Sequence, residues 1–160
     1  MPSVTLRPAR EADIEALTEI WHRGWADGHL GNVPDALVAV RTPDTFRSRT
    51  VDGLPHTTVA LVGESIAGFV KVVDEEVEQV YVSATHRGSG VAGVLLAEAE
   101  RQVAAEGYAE AWLAVAAGNA RARRFYERSG WSDAGLFDYL ASTAEGPIPV
   151  PCHRYVKPVA

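Results

Sequence analysis

Residues 77–95, Val-Glu-Gln-Val-Tyr-Val-Ser-Ala-Thr-His-Arg-Gly-Ser-Gly-Val-Ala-Gly-Val-Leu, constrain the fold more than any other stretch of the chain. A run of β-branched and aromatic residues enters a turn punctuated by glycine, and the turn opens at once into an apolar stretch with helical spacing. A chain that passes from strand through glycine turn to helix leaves the first N–H groups of that helix without partners, at the positive end of its dipole. Gly88 and Gly90 carry no side chain to hold an anion away, and Arg87 adds a full positive charge beside them. The backbone from Gly88 through Ser89, Gly90, Val91 and Ala92 to Gly93 is therefore expected to cradle a phosphate.

Two nucleotide-binding patterns fit this context. Gly88-x-Gly90-x-x-Gly93 matches the dinucleotide fingerprint, which normally opens the first βαβ unit of a larger domain and is followed about 20 residues on by a carboxylate for the ribose. Here about 75 residues precede the turn, and the next strand, read at 111–116, ends on Ala117, Gly118 and Asn119. No Gly-Lys-Ser/Thr closes the turn, which excludes a P-loop. The second pattern is Arg-x-x-Gly-x-Gly/Ala, met by Arg87-Gly-Ser-Gly90-Val-Ala92. It is accompanied by a block running from Trp112 through Asn119, Phe125 and Tyr126 to Gly130-Trp131. Together these blocks resemble the GNAT superfamily of N-acetyltransferases, and the resemblance extends over nearly all 160 residues.

Composition agrees with one globular domain over residues 1–160, at 47% hydrophobic and 22% charged. The start of the chain carries no apolar signal segment, and no run approaches the ~20 residues of a membrane span, so a cytoplasmic protein with no membrane partner is expected. The lone Cys152 excludes an internal disulfide and a cysteine-based zinc cluster; no metal is expected, and Cys152 reads as a plain strand residue. A net charge of −6 and a pI of about 5.3 disfavour a nucleic-acid partner but suit a cationic amine.

Periodicity gives the order β-α-α-β-β-β-α-β-α-β-β, an α+β fold with a mixed central sheet flanked by helices. Residues 4–7 form the first strand, and a helix follows with Ile14, Leu17, Ile20 and Trp21 on one face, broken by Gly24, Gly28, Gly31 and Pro34. Residues 34–40 and 43–50 read as short helices started by proline. Residues 57–62 and 66–73 form a hairpin closed at Gly63-Glu64, and Asp74, Glu75 and Glu76 read as a solvated turn. Val91, Leu95, Ala99 and Val103 mark the long helix that stops near Gly107. The last strands are expected at about 134–143 and 152–157, with residues 144–151 a proline-stiffened lid or dimer contact.

The resemblance implies acetyl-CoA as co-substrate and transfer of its acetyl group to a primary amine by direct attack through a tetrahedral intermediate. In that family the fourth and fifth strands splay at a bulge and the pantetheine arm bonds to the exposed edge, here Val80, Tyr81 and Val82. One of their N–H groups would face the thioester oxygen, and the diphosphate would fall on Arg87 to Gly93. Arg121, Arg123 and Arg124 crowd a helix start, where cations are unfavourable. Two readings stand: Arg123 and its neighbours meet the cofactor's 3′-phosphate, or they pair with carboxylates such as Glu127. Asn119 suits an N-cap, and the resemblance adds a pantetheine contact.

Transfer needs two proton events. Tyr126 matches the family's general acid by position, with core packing as the alternative. A base is less evident, because related ribosomal-protein alanine acetyltransferases place a glutamate where this chain has Ala114. Glu78, acting directly or through a water chain, is the next candidate; His22, His29 and His86 titrate in the right range but no motif places them. Trp25 and His29 share a helical face if the helix continues past its glycines, and two readings stand for them, cover for an amine or core packing; the segment Trp25-x5-Gly31-x2-Pro34 is similar to one common in small-molecule members. Trp131, Phe137, Tyr139 and Tyr155 are expected to close the acceptor site from the other side. A protein N-terminal acetyltransferase and a non-catalytic acyl-CoA sensor are the alternative functions. Relatives that pair through their last strands make a homodimer possible in principle, and the acyl group is open between acetyl and longer chains.

Overall fold

The computed structural model describes residues 3–160; Met1 and Pro2, the first residues of the start read as carrying no signal segment, lie outside them. The elements are β1 (Val4–Pro8), α1 (Ile14–His29), α2 (Asp35–Val40), α3 (Pro43–Gly53), β2 (Thr57–Val62), β3 (Ser65–Val73), β4 (Glu76–Val82), α4 (Val91–Ala105), β5 (Glu110–Ala116), α5 (Ala120–Arg128), β6 (Ser132–Ala141) and β7 (Ile148–Pro158). Both short proline-led segments form, so three helices separate the first two strands where the compact order allowed two. The strands make one mixed sheet in the order β1-β2-β3-β4-β5-β7-β6, in which only β4 and β5 run parallel.

Alternation along the strands divides the core in two. Val59 and Phe69 pack with Leu17, Trp21 and Phe46 of α1 and α3, whereas their neighbours Ala60 and Val70 pack with Leu95, Ala99 and Val103 of α4. Helices therefore cover both faces of the sheet, and both cores converge on the β4–β5 region.

Two expectations fail for tertiary reasons. Gly24 and Gly28 do not break α1, which continues to His29 and ends at Gly31, where φ is +85°. Both glycines face the rest of the molecule: a Cβ on Gly24 would lie 2.9 Å from Tyr81 Cε1, and one on Gly28 would lie 2.9 Å from Asn119 Nδ2. Close approach, not helix termination, explains them. The second failure is the start of the last strand, expected at about 152: the latter half of the proline-rich segment 144–151 already belongs to β7, with Pro149 opposite Leu140 and Pro151 opposite Asp138. The Pro151 carbonyl accepts from Ala117 N–H at 3.0 Å, so residues 149 and 151 point their backbone away from β6, to the side where β5 has just ended. No ladder hydrogen bond to β6 is lost there, which is why the strand tolerates both prolines.

Candidate active site

β4 and β5 pair at one rung, Glu76 opposite Trp112, with Trp112 N–H bonded to the Glu75 carbonyl at 3.0 Å, and then part. Against β3, the register of β4 shifts so that Gln79 faces Lys71 while Val77 faces Val72, which makes Glu78 the extra residue of a bulge. Ser83 N–H bonds to the Ala67 carbonyl at 2.8 Å. By alternation the backbone of Tyr81 also serves β3, and the polar groups of Val80 and Val82 turn into the gap. Of the three edge residues expected from sequence, two have their backbone aimed where a ligand amide would lie.

A groove of about 440 Å³ runs from this gap over the start of α4. Gly88 and Gly90 adopt φ of +78° and +85°, and Gly90 is the residue from which α4 begins. The first acceptor found in this turn is the Gly90 carbonyl, bonded by Val94 N–H at 3.3 Å; among the described residues the N–H groups of residues 87–93 have no protein acceptor. Arg87 lines the groove and donates to Asp27 Oδ2 of α1 at 2.5 Å. The Ser89 hydroxyl donates to the His86 carbonyl and does not line the groove. Phosphates and an amide-bearing chain suit this collection of free main-chain donors.

Arg123 is not at the cofactor groove and takes the second of its two readings, pairing with a carboxylate. Its guanidinium reaches the Ala117 carbonyl, Tyr155 Oη and Asp133 on the far side of α5, at 3.3–3.4 Å, and lines neither cavity. Arg121 and Arg128 are the arginines of α5 that border the groove. Asn119 does cap α5, accepting from Ala122 N–H at 3.2 Å, and its amide also borders the groove.

On the other side of the gap lies an inner cavity of about 480 Å³. It meets the groove at Gly24, Gly28, Val80, Tyr81, Asn119 and Tyr126, which border both. Tyr126 stands at this junction with its phenol pushed up to about 12 by burial. The Glu78 carboxylate enters the inner cavity and accepts from Lys71 Nζ at 2.7 Å. Glu76, expected in a solvated turn, instead lies in β4 and lines the cavity, accepting from Tyr139 Oη at 2.7 Å. Burial, offset in part by that hydrogen bond, raises its carboxyl above the usual range. Ala114 forms part of the same wall, so these two glutamates supply the carboxylates that β5 does not.

Trp25 and His29 both line the inner cavity, but as a stacked pair with ring centres 5.0 Å apart and planes 6° apart. His29 Nδ1 lies 3.0 Å from the Trp25 carbonyl, which can only accept, so the proton sits on Nδ1 and Nε2 keeps its lone pair. Burial, aided by Arg49 and Arg41, lowers His29 to about 4. It is neutral at pH 7 and a weak base. His22 packs on Phe46 and His86 bonds to Ser83 Oγ, so neither enters the inner cavity. Of the four aromatic residues expected from the last strands, only Tyr139 lines it; Trp131 and Tyr155 are buried in the α4-side core and Phe137 packs on Trp112 and Tyr139. Buried Cys152 is a β7 residue whose thiol is pushed up to about 11, which leaves it protonated.

Sequence reasoning missed Arg41, Arg49, Asp52 and Lys71, all of which line the inner cavity. Arg49 stacks over Trp21, with Cζ 4.5 Å from the ring centre. No group of three or more His, Cys, Asp or Glu among the described residues is arranged to hold a metal, and no helix is long and apolar enough to cross a membrane.

The model of the acetyltransferase (GNAT) family matches residues 14–131. Solved structures similar to the chain include apo YjaB from Escherichia coli, 22% identical with a TM-score of 0.72 over 96% of this chain and 97% of that one. PaiA N-acetyltransferase from Thermoplasma acidophilum, in complex with coenzyme A, is 16% identical with a TM-score of 0.72 over 98% and 99%. YncA from Salmonella typhimurium, with acetyl-CoA, is 19% identical with a TM-score of 0.67 over 99% and 95%. No curated protein sequence matches the chain.

Proposed function

The chain belongs to the acetyltransferase (GNAT) family, and from that premise we propose that it acetylates the primary amine of a small molecule with acetyl-CoA. The observation that carries this reading is the junction of two unlike cavities at the break between β4 and β5, with Tyr126 between them. Acetyl-CoA supplies the thioester carbon that the amine attacks. The N–H groups of residues 87–93, with Arg87, hold the diphosphate; Val80 and Val82 bond the pantetheine amides, and Asn119 borders that chain. A gap-facing N–H of β4 donates to the thioester oxygen as negative charge develops on it.

Glu78 takes the proton that the ammonium group must lose, directly or through water, because its carboxylate in the cavity attracts the ammonium ion, which the neutral His29 does not. Tyr126 donates a hydrogen bond to the sulfur as the C–S bond breaks. With its phenol near 12, full transfer to a thiolate of pKa about 8.5 would be uphill by roughly 5 kcal/mol, so stabilisation of the departing charge is its main contribution.

Release of CoA thiol from acetyl-CoA across a panel of amines and N-terminal peptides, with wild type and Tyr126→Phe, tests the proposal. Turnover on amines, reduced in the variant, is expected. Heat on titration with acetyl-CoA but no turnover with any acceptor would leave a sensor instead.

A further inference from the structure

The inner cavity carries two arginines that the proposed chemistry does not use. Arg41, just past the end of α2, is 8% exposed, and its Nε is buried without a partner. Arg49 of α3 likewise buries Nη1 without a partner while its guanidinium stacks on Trp21. Among the described residues neither side chain makes an ion pair. Both line the inner cavity and neither borders the groove, so the cofactor's phosphates are not their partner.

A buried guanidinium presents up to five donors and is costly to leave unpaired. Here two face one space, close enough that Arg49, after burial, is the main cause lowering Arg41 to about 10. Charge placed this way is unfavourable until an anion enters, and the planar fork of arginine matches an oxyanion such as a carboxylate. On the β4 wall stand Glu76 and Glu78, the latter already neutralised in part by Lys71. Asp52 of α3 also lines the cavity but pairs with neither arginine, so the arginine side, with two guanidiniums to one carboxylate, is net cationic and faces the acidic β4 side; the volume of about 480 Å³ lies within the range of small-molecule sites, ~300–1,000 Å³. A plain alkylammonium ion would face two unpaired guanidiniums, which selects against it.

We propose that the acceptor is a zwitterion of α-amino-acid type, its oxyanion held by Arg41 and Arg49 and its amino group turned toward Glu78 and the β4–β5 gap. This deepens the acetyltransferase reading and rests on the inner cavity being the acceptor site. Arg41 and Arg49 are then specificity-determining residues.

The experiment compares the twenty common α-amino acids, aminoalkylphosphonate analogues and matched amines that lack the acid group, such as phenylalanine against 2-phenylethylamine and leucine against 3-methylbutylamine. The best amino acid or phosphonate is expected to exceed its matched amine by about 10²-fold or more in kcat/KM. Arg41→Gln and Arg49→Gln should each shrink that ratio about tenfold, mainly by raising KM for the acid. The Lys variants, which keep charge but lose the fork, should shrink it less, with thermal melts reporting whether each variant folds. Equal rates on acids and matched amines, or ratios unchanged in folded variants, would overturn this inference while leaving the transferase reading intact. If no acceptor turns over, calorimetry on the CoA-loaded protein decides: heat with an amino acid that is lost in Arg41→Gln/Arg49→Gln supports the zwitterion site alone, and no heat overturns it.

Discussion

The two cavities that meet at the break in the sheet are built from different materials. The groove is mostly main chain, with the free N–H groups of one continuous turn at residues 87–93 and the strand edge at Val80 and Val82. The inner cavity is mostly side chains, with Arg41, Arg49, Lys71, Glu76, Glu78 and Tyr139 drawn from α3, β3, β4, β6 and the residue after α2. A site made of backbone depends on conformation and tolerates most side-chain changes. One made of charges keeps its shape under substitution but changes what it recognises. The first arrangement serves a ligand that stays the same, and the second serves one that a family varies.

The largest effect that would separate the two is on acetyl-CoA binding. Gly90→Val places a β-branched residue at φ +85°, at about 1–3 kcal/mol of strain, and puts its side chain where the phosphate would lie. With lost charge-assisted hydrogen bonds at about 1.5–3 kcal/mol each, calorimetry should show roughly a 10³-fold weaker Kd. Glu76→Gln, on the other side of the junction, should leave that Kd within about threefold. Similar losses from both would break the distinction.

Next comes a pH limb confined to the inner cavity. His29 is held near 4 in the folded protein against an ordinary value of 6.5. The folded state therefore prefers neutral imidazole, so the stability it contributes is complete above pH 6.5 and is lost as pH falls from there toward 4. The total is about 3 kcal/mol. Denaturation midpoints measured between pH 7 and 4 should decline less steeply in His29→Gln. A wild-type and variant slope that coincide would place no such burden on His29.

Tyr126→Phe tests the junction itself. Loss of one hydrogen bond to the leaving sulfur should lower kcat about 10²-fold with little change in KM for acetyl-CoA. A larger loss, approaching ~10⁴-fold, would indicate that Tyr126 passes a complete proton.

How much of this the sequence displays follows the same division. The phosphate turn is local, so the spacing of Arg87, Gly88 and Gly90 and the helix period beginning at Val91 reveal it without any knowledge of the rest of the chain. Asn119 and Tyr126 are visible because they sit seven residues apart in one helix and its cap. Arg41 and Arg49 are not visible, because Arg41 looks like a charge that closes a short apolar helix and Arg49 like a surface residue of a short polar one. The burial of Phe46, Thr50 and Gly53 against the rest of the molecule sets the orientation of α3 that brings Arg49 over Trp21. Glu76 reads as a turn residue for a similar reason, since the composition of 74–76 describes the hairpin and not the strand that the third residue starts. Arg123 shows the opposite limit: a helix start crowded with cations leaves a ligand anion and a protein carboxylate equally open, and only the placement of Asp133 in β6 and Tyr155 in β7 decides for the protein partners.

Gly24 gives the smallest effect and the sharpest test of whether the junction is tightly packed. On helix propensity alone, Gly24→Ala in the interior of α1 should stabilise the protein by about 1 kcal/mol. Packing opposes this, because the added methyl would overlap the ring of Tyr81, which is itself held against Phe69 with ring centres 5.8 Å apart. Overpacking of this kind costs about 1–3 kcal/mol, so a net loss of about 1 kcal/mol is expected, or a fall in Tm of roughly 2–4 °C. Gly28→Ala should cost less, because its methyl would meet the end of the Asn119 side chain and not a ring fixed by its neighbours. Thermal unfolding of both variants reads the sign directly. A rise in Tm for Gly24→Ala would mean that Tyr81 yields easily, and that the wall shared by groove and inner cavity is softer than its close packing implies.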